Sequence, residues 1–174
     1  ADMRTPGITV RPIRTLSGEE EFCEVFFDDV RVPVGNVIGE VNKGWDVAKA
    51  LLGFERLMVG SPRQAAGTLA RLEQLARQTG FARAQQWQEE LTQLRMDLAG
   101  LLELHRSFAQ QLQQTGKLGP EVSISKIVST ELNQRVAEKL LELAQAQAAV
   151  QGPLDGASSI DLLALYWQSR PATI

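Results

Sequence analysis

From Gly44 onward apolar side chains recur at every third or fourth position, and this repeat restricts the chain to helices packed face to face. Val47, Leu51, Phe54 and Met58 form one stretch, and Leu69, Leu72 and Ala76 continue it, which is the stripe of an amphipathic helix. Unbroken from Trp45 to Gln78, it would be about 50 Å long at about 1.5 Å per residue. Pro62 has no amide proton and its ring crowds the carbonyl of Met58, so Gly60-Ser61-Pro62 predicts a kink. Gly80 is a plausible stop. A second helix is predicted from about Ala84 to Thr115, with Leu91, Leu94, Leu98, Leu101, Leu102, Leu104, Phe108 and Leu112 as its stripe. A third starts at Pro120 or Glu121, where a proline and an acid suit a first turn. It runs on Val128, Leu132, Val136, Leu140 and Leu143 to Gly152-Pro153. A fourth covers about Ser158 to Gln168, with Ile160, Leu163 and Tyr166 or Trp167 inward, and Pro171 ends it. Four helices with short connections predict a mainly α fold, an antiparallel four-helix bundle.

The first forty residues differ. Ile8 to Arg11, Phe22 to Phe27 and Val30 to Val32 are short β-branched or aromatic stretches separated by Ser17-Gly18 and Asp28-Asp29, and they read as two or three strands. So few strands cannot close a core of their own. They belong to a sheet supplied by something else or lie on the helices. This places a domain boundary between residues 1–41 and 42–174.

Composition narrows the chemistry. With 18 basic and 21 acidic side chains the net charge is −3, which gives no basic field and argues against nucleic acid as the main partner. Cys23 and His105 are each alone, so an internal disulfide, a cysteine zinc site and a multi-histidine cage are excluded and no metal is expected. No apolar run nears the roughly 18 residues of a membrane span. The opening residues Ala1 to Arg4 lack the apolar core of a secretory signal, and the cytoplasm is the expected location. Gly35 and Gly39 flank Asn36-Val37-Ile38 without the lysine or helix that a phosphate loop needs. The glutamine clusters interleave with leucines and read as solvated helix faces.

Carboxylates and arginines remain. Glu55-Arg56 interrupts the first helix in mid-stripe, between Phe54 and Leu57-Met58. A carboxylate held near an apolar face loses solvation and can act as a base toward a weak carbon acid. The plain alternative is an exposed glutamate beside an exposed arginine. Cys23, between strand aromatics, reads as a small core side chain before it reads as a nucleophile. His105 reads as a packing or capping residue, and Trp45 as an anchor for the turn from strands to helices.

The runs Ile8 to Ile13, Glu21 to Pro33, Asn36 to Gly39 and Gly44-Trp45, in this order and spacing, closely resemble the acyl-CoA dehydrogenase family, at the end of its middle β-domain and the entry to its C-terminal helical domain. Residues 57 to 174 resemble that helical domain in helix lengths and in Lys126 to Arg135. The resemblance implies that residues 1–41 are a remnant of the β-domain and 42–174 the helical domain, truncated before its final helix. It implies an FAD-dependent parent enzyme that oxidises an acyl-CoA thioester between the α and β carbons, inactive in this isolated piece because the flavin's main seat is absent. Members pack their helical domains into a dimer of dimers, which implies a homo- or hetero-oligomer.

The resemblance also marks site residues. Ser169 to Ile174 is similar to the segment before the family's Tyr-x-Gly-Thr-x-Glu motif, whose glutamate is the usual base and which lies beyond residue 174. In branches that place the base elsewhere it sits in a Glu-Arg pair on the first helix of this domain. That implies Glu55 as candidate base and Arg56 as the residue that orders it. The family's Arg-x-x-Phe-Gly segment, whose arginine meets the FAD pyrophosphate, is matched only by position, at Arg77, Phe81 and Arg83, and its Phe-Gly pair is absent. The Gly-Gly-x-Gly turn is replaced by Gln151 to Gly156. Such drift suits a divergent member or the non-catalytic half of a mixed-subunit enzyme, and a helical assembly module is the rival reading. A third reading is an unrelated four-helix binding protein with an N-terminal hairpin.

Overall fold

The computed structural model describes residues 1–80, 84–144 and 161–173, which fall into two compact units, Ala1–Leu51 and Leu52–Ile174. In the first, β1 (Ile8–Ile13) and β2 (Phe22–Phe27) form a two-stranded antiparallel sheet. Its register runs from Ile8 opposite Phe27 to Ile13 opposite Phe22. Because side chains alternate along a strand, Ile8, Val10 and Pro12 share one face with Phe27, Val25 and Cys23. That face is apolar throughout. The other mixes Phe22, Phe26 and Ile13 with Arg11 and Glu24, and the Arg11 guanidinium lies 4.8 Å above the Phe26 ring. Gly7 (φ +91°) closes the open end: its carbonyl accepts the Asp28 amide at 2.9 Å, and any Cβ there would strike the Asp28 carbonyl.

Two expectations fail in this unit. Val30 to Val32 is not a strand: Asp29 takes a left-handed conformation (φ +50°) that turns the chain off the ladder. Cys23 is exposed rather than packed in a core, because nothing in the unit covers its face.

The single kinked helix expected from Trp45 to Gln78 is two helices, α1 (Gly44–Val59) and α2 (Arg63–Gln78), with Pro62 as the residue before α2. The lost amide of Pro62 and the small Gly60-Ser61 pair turn a kink into a full break. α1 carries Asp46 in its first turn and Arg56 in its last, the charge order that suits a helix dipole. Its stripe is not core: Trp45, Val47, Leu51, Phe54 and Met58 are all exposed.

The remaining helices are α3 (Gln85–Thr115), α4 (Ser123–Ala144) and α5 (Leu162–Ser169). A 3-10 turn at Pro120–Val122 precedes α4. α4 packs on α2, α3 and α5 at once. Leu69, Leu72 and Ala76 of α2 meet Leu91, Leu94 and Leu101 of α3 and Leu132, Val136, Leu140 and Leu143 of α4 in one core, as their spacing predicts. Each fully buried leucine contributes about 1.5–3 kcal/mol by leaving water. Leu102 points outward instead. In α5 the inward residues are Leu162, Leu165 and Ser169 and not Leu163, a shift of phase in a short helix that is apolar nearly all round. The expected helix end at Gly152-Pro153, and Ser158 to Ile160, lie outside the described residues.

Polar groups fix how these helices meet. The Thr68 hydroxyl, buried in the α2–α4 seam, donates to Asn133 Oδ1 at 2.9 Å. Arg95 pairs with Glu73 at 2.7 Å, Arg135 with Asp97 at 2.8 Å and Lys139 with Glu90 at 3.0 Å. Asp161 caps α5 by accepting the Ala164 amide at 2.9 Å.

Glu121 folds back over the start of α4. A hydrogen bond from its own backbone amide, then one from Gln111 Nε2 (3.3 Å), holds its carboxyl below the usual glutamate value. A depressed folded-state pKa means the contribution to stability is complete above the ordinary glutamate range and is lost as pH falls through the lower folded value. The melting temperature of Glu121→Gln, followed by circular dichroism, is therefore expected to drop less than wild type between about pH 6 and pH 3.

Candidate functional site

Two groups of predicted site residues can be placed. Glu55 and Arg56 lie near the C-terminal end of α1, both exposed, and among the described residues neither has an ion-pair partner. Helix geometry sets Glu55 beside the residues three and four positions away: Leu51, Leu52, Met58 and Val59, which are 67%, 38%, 76% and 44% exposed. Glu55 is thus a carboxylate in the middle of an uncovered apolar stripe. Arg56, a third of a turn on, falls with Lys49 and Asp46 on the polar side of the helix. Lys49 and Asp46 pair with each other at 2.9 Å.

Arg77 sits in the last turn of α2. It lines a cleft of about 430 Å³ with Glu73, Gln88, Leu91, Thr92 and Arg95. Glu73 is the hinge of this cluster: its carboxylate takes Arg95 Nε at 2.7 Å and lies 3.8 Å from Arg77 Nη1. Two guanidinium groups against one carboxylate leave a local excess of one positive charge, and the loose 3.8 Å pair leaves Arg77 able to meet an anion. These residues fit one edge contact to the pyrophosphate of FAD. Phe81 and Arg83 lie outside the described residues. No hydrogen bond or ion pair among the described residues joins this cluster to Glu55 and Arg56.

Glu73 and Arg95 were not legible as site residues. Glu73 could have been found from its spacing of four to Arg77, whereas Arg95 reaches it across 22 residues of sequence. His105 is half-buried, with Nδ1 enclosed and without a hydrogen-bond partner among the described residues. Among the described residues no group of three or more His, Cys, Asp or Glu could hold a metal, and no helix is long and apolar enough to cross a membrane.

The family model for the acyl-CoA dehydrogenase C-terminal domain matches residues 42–171. The chain is 32% identical over 171 residues to acyl-CoA dehydrogenase IpdE1 of Mycolicibacterium smegmatis, covering 97% of this chain and 42% of that protein. It is also 32% identical over 151 residues to acyl-CoA dehydrogenase FadE34 of Mycobacterium tuberculosis, covering 86% of this chain and 21% of that one. The chain therefore spans less than half the length of these relatives. Among solved structures, the Tcur3481-Tcur3483 steroid ACAD superposes with a TM-score of 0.85 at 21% identity, over 99% of this chain and 45% of that one. The ChsE4-ChsE5 complex of Mycobacterium tuberculosis superposes at 0.68 and 22% identity, over 99% and 46%. The described helices and two-stranded antiparallel sheet thus follow the fold of that domain. These findings overturn the reading as an unrelated binding protein, and none of them favours the assembly module over the enzyme. The chain belongs to the acyl-CoA dehydrogenase family, as its C-terminal domain with a short stretch of β structure before it.

Proposed function

We propose that these residues are the C-terminal part of an FAD-dependent acyl-CoA dehydrogenase that removes the α-proton and the β-hydride of an acyl-CoA thioester. Residues 1–41 are then the end of the preceding β-domain and 42–174 the helical domain, with the first unit's bare hairpin faces covered by the rest of that sheet. The observation that carries the reading to a site is Glu55, the one acid on an otherwise apolar, uncovered stretch of α1. When the remainder of the enzyme covers that stripe, water leaves the carboxylate and its strength as a base rises toward what a weak carbon acid requires. Glu55 then accepts the α-proton on a carboxylate oxygen. Arg56, on the polar side of the helix, supports the site through the last turn of α1, where its charge suits the helix end.

Bound FAD supplies the acceptor for the β-hydride. Of this chain, Arg77 would meet its pyrophosphate, its guanidinium only loosely paired at 3.8 Å with Glu73, whose carboxylate Arg95 engages at 2.7 Å, with Phe81 and Arg83 following it in sequence. The protein acts in the cytoplasm as a homo- or hetero-oligomer. The naming of one structural neighbour as a two-component complex supports association.

The 174 residues alone, given FAD, a panel of acyl-CoAs and a dye that takes electrons, are expected to show no turnover, while the full-length enzyme reduces the dye. Turnover by this chain by itself would overturn the reading as a part of a larger flavoenzyme.

A further inference from the structure

We infer that Ser129 and Gly60 are positioning residues that fix the end of α1, and so the place of Glu55, on α4; the inference rests on the reading of Glu55 as the base. The break between α1 and α2 is fastened to α4 at two points. Gly60 is buried against the backbone of α4, where an added Cβ would come within 2.7 Å of Ser125 Cβ and 2.9 Å of the Lys126 amide nitrogen. Such approaches exclude every side chain larger than hydrogen unless the helices part. The Ser129 hydroxyl, 3% exposed, donates to the Ser61 carbonyl at 2.9 Å.

Ser125 and Ser129 are four residues apart, so the two points lie about 6 Å apart along one face of α4. Two separated points fix direction as well as position. The same pair of residues closes α1: the Gly60 amide donates to the Arg56 carbonyl at 2.9 Å and the Ser61 amide to the Met58 carbonyl at 3.1 Å. The last turn of α1 therefore ends on atoms held by α4.

Glu55 is five residues before Gly60, about 7.5 Å along the axis. A swing of about 10° at the corner moves it by roughly 1 Å, and errors of that size cost up to about 100-fold in rate when a base must meet a particular proton. Neither serine is near enough in sequence to Glu55 to be found by motif, and neither needs to touch substrate.

The test has two arms. In the full chain, hydrogen exchange followed by mass spectrometry is expected to speed up about tenfold over residues 54–62 in Ser129→Ala, with residues 91–104 of α3 unchanged. In the flavin-loaded enzyme Ser129→Ala is expected to lower kcat about tenfold and Gly60→Ala up to about 100-fold, with KM within about twofold. Unchanged exchange in Ser129→Ala overturns the anchor. Faster exchange with unchanged kcat, in an enzyme that Glu55→Gln disables, overturns the positioning role. An enzyme still active as Glu55→Gln sinks the base and this role together, and the exchange arm separates that outcome from failure of the anchor.

Discussion

Glu55→Gln in the flavin-loaded enzyme is expected to lower kcat by about 10³-fold, within the range of roughly 10²–10⁴ for loss of a general base, while substrate affinity changes by less than about twofold. Glutamine keeps the size and hydrogen-bonding reach of glutamate and removes only the ability to take a proton. Loss of kcat without loss of affinity is therefore the signature of the base. Stopped-flow reduction of the flavin by acyl-CoA reads the step directly, and substrate deuterated at the α carbon shows whether proton removal still limits it. Full activity in this variant would move the base to the glutamate that the family more often uses, beyond residue 174.

Leu132→Ala is expected to destabilise the helical unit by about 2–5 kcal/mol, the range for a buried leucine whose cavity only partly collapses. Leu132 is fully buried on α4, the helix that packs on three others, so no single neighbour can move in to fill the space without leaving another. At roughly 2–4 °C per kcal/mol for a domain of this size, the melting temperature should fall by at least about 4 °C. Thermal unfolding followed at 222 nm measures it. Leu102→Ala, whose side chain is exposed, is the control and should shift the midpoint by no more than about 1–2 °C.

Helical period was enough to find the cores of α2 and α4. Leu69, Leu72 and Ala76, and Leu132, Val136 and Leu140, are buried as their spacing predicts, because an amphipathic stripe is written locally. The same period in α1 led to the opposite outcome. A stripe says that one face is apolar, and not what covers it, so Val47, Leu51, Phe54 and Met58 carry the pattern of a core stripe and are exposed. Cys23 is exposed for the same reason. The phase of α5 was illegible because Leu162 to Trp167 is apolar at every position. The third strand failed on one backbone angle at Asp29, which residue type alone does not dictate.

The candidate site was legible only in part. Glu55 could be singled out from its neighbours three and four residues away, a local property. Arg77 came from family resemblance, and Arg95, which shares Glu73 with it, from no local signal, since the pairing of α2 with α3 brings it there. The Ser129–Ser61 bond spans 68 residues and is visible only once α4 lies against the corner.

The Thr68–Asn133 bond limits how α2 and α4 can mate. Leucines along the rest of the seam would tolerate a slide of one helical turn, about 5.4 Å, with little change in apolar contact. A slide would strand the Asn133 amide away from water, at about 1–3 kcal/mol, while the Thr68 hydroxyl keeps the Gln64 carbonyl of its own helix at 3.0 Å. Together with the Gly60 and Ser129 contacts at the corner, this polar key leaves the two helices one registration, and removing both of its halves would loosen the middle of the seam while the corner still held.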